Sequence, residues 1–82
     1  MTCEIVFWRG YRKARFYACT LDDAGELVAL AESPAFRSPR KDVPDRTDGA
    51  VEAHEALSEL LLSDGWQLAR RGPGWYQATF SR

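Results

Sequence analysis

The sequence predicts an α+β domain, a small antiparallel β-sheet with one α-helix packed on one face, in the order β-β-β-α-β-β. Three observations carry this. Apolar and polar positions alternate with period 2 up to about residue 33. From 50 to 64 the period becomes 3.6, and after Trp66 it returns to 2.

The first strand is residues 3 to 9, CEIVFWR, rich in β-branched and aromatic types. Cys3, Ile5 and Phe7 share one face, and Glu4, Val6 and Trp8 the other. GYRK follows as a turn, with Gly10 read as a positive-φ residue. The second strand, 14 to 21, puts Ala14, Phe16 and Ala18 on one face and Arg15, Tyr17 and Cys19 on the other. DDAG, 22 to 25, reads as a type I turn closed by a left-handed glycine. ELVALAES, 26 to 33, holds good helix formers. Eight residues between a tight turn and Ser-Pro favour a third strand.

Periodicity stops at 33 to 48, which carries Pro34, Pro39 and Pro44 among many charges. It reads as a long Pro-rich loop within a single domain spanning 1–82. Phe36 is expected to tuck into the core, in preference to serving as an anchor for a partner. The helix then shows an apolar stripe of Val51, His54, Leu57 and Leu61, widened by Ala50, Ala53 and Leu60. Glu52, Glu55 and Glu59 lie opposite. Thr47 or Asp48 suits its N-cap. Gly65 suits the left-handed residue after its end, with Trp66 packing back on the last turn. WQLARR, 66 to 71, is a short strand, GPG a turn, and WYQATFSR, 75 to 82, the last strand. In the last strand Tyr76, Ala78 and Phe80 face one way, and Trp75, Gln77 and Thr79 the other.

Composition bounds the function classes. A chain of 82 residues buries only about 60% of its unfolded surface, so its stability margin is thin. Ten aromatics supply large core pieces without disulfides or metal. Two cysteines, no CxxC and a single histidine give no metal-ligand spacing, so neither metal nor cofactor is expected. No 18-residue apolar run or secretory h-region occurs, so no membrane contact is expected and the cytoplasm is the expected compartment. Net charge is −1, but unevenly spread. Residues 1 to 20 carry Arg9, Arg12, Lys13 and Arg15 against Glu4, while residues 21 to 64 are strongly acidic.

No catalytic constellation emerges, and an enzyme is not expected. His54 sits on the apolar stripe of the helix, where a boundary core histidine is the ordinary reading. Cys3 and Cys19 fall on opposite faces and read as inert thiols. Asp22 and Asp23 belong to a turn, and GPG lacks the lysine of a phosphate loop.

The interest lies in the sheet face away from the helix. Alternation gives it Trp8, Tyr17 and Trp75 with Arg15, a candidate protein interface and first of all a homodimer contact. The 33–48 loop sheltering these rings is the bland alternative. The rival function is binding of single-stranded RNA: Trp8 and Tyr17 would stack bases while Arg9, Arg12, Lys13 and Arg15 met phosphates. The element order is not that of the common four-stranded RNA module, and a net acidic total weakens the attraction.

The segments CEIVFWRGYRKARFYA, ESPAFR, AHEAL, DGW and WYQATFSR, in that order over almost the whole chain, resemble a family of small high-GC actinobacterial proteins without assigned activity. The resemblance implies a bacterial cytoplasmic protein. It carries over no catalytic residue.

Overall fold

A computed structural model describes residues 1–40, 44, 46 and 49–82. The chain forms β1 (Thr2–Arg9), β2 (Lys13–Leu21), β3 (Leu27–Glu32), β4 (Phe36–Arg37), α1 (Ala50–Ser63), β5 (Gln67–Arg71) and β6 (Ala78–Ser81). The strands make one open antiparallel sheet in the order β3-β2-β1-β6-β5, with β4 continuing beside β2. The helix packs on one face. The α+β class and the helix between two groups of strands are as the sequence predicts. The third strand is a strand, not a helix.

Alternation in β1 and β2 holds. Cys3, Ile5, Ala14, Phe16 and Ala18 are buried beneath the helix, together with Ala53, Leu57 and Leu61 from α1 and Ala78 and Phe80 from β6. Phe16 is the centre, fully buried, with ring centroids of Phe36 at 5.2 Å, His54 at 5.4 Å and Tyr76 at 5.6 Å. Phe36 is a core residue, and it belongs to a short strand inside the segment that the sequence predicts to be a loop. Pairing of β4 with Lys13 and Ala14 places it there.

The junction between β3 and β4 has a specific device. Pro34 has no N–H and cannot continue the ladder. The buried Ser33 compensates: its backbone N–H donates to the Phe16 carbonyl (2.8 Å), and its hydroxyl accepts from the Phe16 N–H (2.9 Å). The strand therefore bends into β4 without leaving a buried donor unpaired.

The helix ends as predicted. Gly65 has φ of 91°, its N–H donates to the Leu62 carbonyl (3.2 Å), and the Trp66 N–H donates to that of Leu61 (3.0 Å). This is a Schellman cap, and Trp66 is buried against it. At the other end Gly49 is the N-cap residue. The expected caps Thr47 and Asp48 lie outside the described residues. Leu60 departs from the expected stripe and is exposed.

Candidate functional site

The sheet face away from the helix is built by register. Val6 lies opposite Tyr17, Trp8 opposite Arg15 and Glu4 opposite Cys19 across β1 and β2. Across β2 and β3, Glu32 lies opposite Tyr17 and Leu27 opposite Leu21. Thr79 extends the face into β6 beside Glu4. The result is a surface with Trp8, Tyr17 and Val6 at its centre, Leu21 and Leu27 at one end, and charges interspersed.

Trp8 is 50% exposed and Tyr17 half-buried. Their rings meet edge to face with centroids 6.5 Å apart, a favoured aromatic geometry. Gly10 sets the pose of Trp8. A Cβ at Gly10 would lie 2.7 Å from the indole and 2.5 Å from the Lys13 carbonyl. Gly10 is not among the positive-φ glycines, so its value lies in this close approach and not in the turn angle the sequence suggested. Arg15 turns toward β3: its Nη1 lies 3.4 Å from Glu32 Oε1 and donates to the Ser33 carbonyl at 3.1 Å. Its charge is therefore matched at the edge of the aromatic pair.

Trp75 does not join this face. Strand β6 begins only at Ala78, after a turn in which the Gly72 N–H donates to the Gln77 carbonyl (3.0 Å) and Gln77 Oε1 accepts from the Gly74 N–H (2.7 Å). The Gln77 side chain satisfies that turn, so Trp75 escapes the alternation, while Tyr76 keeps the side of Ala78 and Phe80 that the sequence predicts. Both pack on the helix side. The Trp75 ring lies 5.9 Å from Phe16 and 5.5 Å from His54, and its Nε1 donates to the Pro44 carbonyl (2.9 Å). The 33–48 loop thus shelters Trp75, while its described part leaves Trp8 and Tyr17 open.

The four basic residues of the RNA reading also separate. Arg9 pairs with Ala14 in register and so shares the helix-side face, where its guanidinium donates to the Arg40 carbonyl (3.3 Å). Arg12 lies in the turn. Lys13 and Arg15 share the outer face, where Glu4 and Glu32 accompany them.

His54 is 9% exposed. Its Nε2 lies 2.8 Å from the Tyr76 carbonyl, which can only accept, so Nε2 carries the proton. It lines an open cleft of about 370 Å³ with Ser58, Glu59, Arg71 and Trp75. Burial pushes the Cys3 thiol above its ordinary range, with the neighbouring Cys19 adding to the shift; burial likewise raises Cys19. Both are held in the unreactive protonated form. Among the described residues no group of three or more metal-ligating side chains forms, and no helix is long and apolar enough to cross a membrane.

No protein-family model matches the chain, and no curated protein or solved structure matches it either.

What the sequence missed is Leu21 and Leu27, which extend the aromatic face toward β3. Their signal was present as period-2 leucines on either side of the DDAG turn.

Proposed function

We propose that the protein is an interaction module that associates with a second copy of itself through the outer sheet face. The observation that carries this is the uncovered pair of Trp8 and Tyr17, posed by Gly10 and flanked by Val6, Leu21 and Leu27. A face of large rings and leucines loses free energy to water until a partner covers it. Tyr and Trp bury much area for little side-chain entropy. The Arg15–Glu32 pair lies beside the rings and suits the polar rim of such a contact.

The RNA reading uses the same rings and is the weaker one. Arg15 is already engaged by Glu32, Arg9 lies on the other face, and Glu4 adds a second carboxylate among the rings. Carboxylates beside a stacking platform repel phosphates. A reducing, cytoplasmic setting suits the two free thiols.

Light scattering across a concentration series, with wild type beside Trp8→Ala, tests the proposal. Self-association that weakens in the variant supports it. Self-association untouched by Trp8→Ala refutes it. So does a monomer that binds single-stranded RNA with an affinity falling steeply as salt rises.

A further inference from the structure

The sheet is open, and its two edges differ. The β5 edge carries Arg70 and Arg71 and a bulge at Ala69. Charge and bulge are both devices that discourage strand addition. The β3 edge also has a bulge, at Leu30, but Leu27 to Ala31 are all apolar. Leu27, Val28 and Leu30 are exposed there.

The hydrogen-bond pattern says which groups of that edge are free. The Asp22 N–H donates to the Glu26 carbonyl at 2.9 Å, so Glu26 turns its carbonyl toward β2. Register then runs Leu21 with Leu27, Thr20 with Val28 and Cys19 with Ala29. Bonded and non-bonded pairs alternate in an antiparallel ladder. Val28 therefore points its main-chain groups inward, and Leu27 and Ala29 point theirs outward.

We infer that β3 pairs antiparallel with β3 of a second copy, about a two-fold axis through Val28. In that register Leu27 lies opposite Ala29 of the second copy and exchanges both N–H and carbonyl bonds with it. The symmetric pair does the same, and the two Val28 side chains meet in the close, non-bonded position. The free main-chain groups select a second copy as the occupant, because Leu27 and Ala29 stand symmetrically about Val28 and so complement their own two-fold image. Glu26 of each copy falls at the bulge of the other, and Glu32 lies beyond the paired residues, so no carboxylate faces another. Glu32 is already matched by Arg15. An isologous contact of this kind closes on itself, whereas β3 against β5 would propagate without end. Both helices then lie on one side of a continuous sheet, and both aromatic faces on the other. The edge contact is made by the main chain of β3 and the aromatic contact by side chains of the outer face, so each stands without the other.

The test uses the full chain. Ala29→Pro removes an outward N–H that the lone fold does not use, and Val28→Lys adds an edge charge. Circular dichroism identifies the folded variants. Mass by light scattering then separates the two contacts. If both operate, Trp8→Ala and either edge variant each reduce the assembly to a dimer, and their combination gives a monomer. Mass lost in the edge variants alone upholds the edge and refutes the aromatic contact. Mass lost in Trp8→Ala alone overturns the edge inference, as does a wild-type monomer at every concentration. A cross-link gives a reading that needs no destabilising change. Val28→Cys is expected to form a covalent dimer on mild oxidation, at least tenfold faster than Leu68→Cys on the β5 edge. Equal rates for the two positions overturn the inference.

Discussion

The two faces of this sheet receive aromatic side chains by the same alternation, yet only one is closed. On the helix side Phe16 is surrounded by Phe7, Phe36, His54, Trp75 and Tyr76. Polar atoms there have partners: His54 meets the Tyr76 carbonyl and the Trp75 indole meets that of Pro44. On the outer side Trp8 and Tyr17 meet each other edge to face, and half of Trp8 stays exposed. The difference teaches that ring content alone does not make a core. A core needs a second layer, and among the described residues one helix supplies it, on one face. The same residue types therefore stabilise the fold on one face and stand available for association on the other.

The largest expected effect sharpens this contrast. Leu57→Ala or Leu61→Ala leaves a cavity under the helix and costs about 2–5 kcal/mol, enough to unfold a domain of this size. Trp75→Ala costs about 3 kcal/mol by the same mechanism, although the sequence groups Trp75 with Trp8. Trp8→Ala, on the open face, costs about 1 kcal/mol or less. Chemical denaturation of the four variants orders them. A Trp8 variant as unstable as the Leu57 variant breaks the distinction between the faces.

Ser33→Ala comes next. It leaves the buried Phe16 N–H without its acceptor, at about 1–3 kcal/mol. Ser33→Thr, which keeps an oxygen at that position, is expected to recover part of the loss in the same denaturation assay. Gly65→Ala costs about 1 kcal/mol, because its φ of 91° is strained for any residue with a Cβ while the space around it is open. A melting temperature unchanged by that variant contradicts the cap.

The smallest effect compares the two thiols, Cys3 on the closed face and Cys19 on the open one. Burial raises both. The unfolded chain ionises its thiols near pH 8.5 or so. Stability from keeping them neutral is whole below that pH and is lost as pH climbs through the higher folded values. Wild type is therefore expected to lose more stability than Cys3→Ala between neutral pH and pH 10. Alkylation under native conditions is expected at Cys19 before Cys3.

Much of the fold was legible because alternation and helical periodicity are local. Face assignments in β1 and β2 and the Schellman cap at Gly65 follow from spacing, and the burial of Phe36 from its being a large apolar side chain in a polar segment. Three features were not legible. Strand β4 is two residues long and exists because Ser33 bridges the break at Pro34, a tertiary bond that no period encodes. Trp75 was assigned to the wrong face because the Gln77 side chain, not a strand, organises residues 72 to 77. Leu60 was counted in the stripe because an apolar side chain at its spacing is compatible with burial, while the sheet beneath covers a narrower arc. For the outer face, Trp8, Tyr17 and Arg15 were found by alternation, whereas the separation of Arg9 from Arg15 needed the register.

Fluorine NMR of the protein labelled with 5-fluorotryptophan tests the outer face as a contact most directly. Three resonances are expected, from Trp8, Trp66 and Trp75, with Trp8 assigned through Trp8→Phe. On dilution the Trp8 resonance is expected to move toward its water-exposed position, while Trp66 and Trp75, held on the helix side, stay fixed. A Trp8 resonance that is constant across the series, while the mass of the particle changes or while all three lines remain still, contradicts the account.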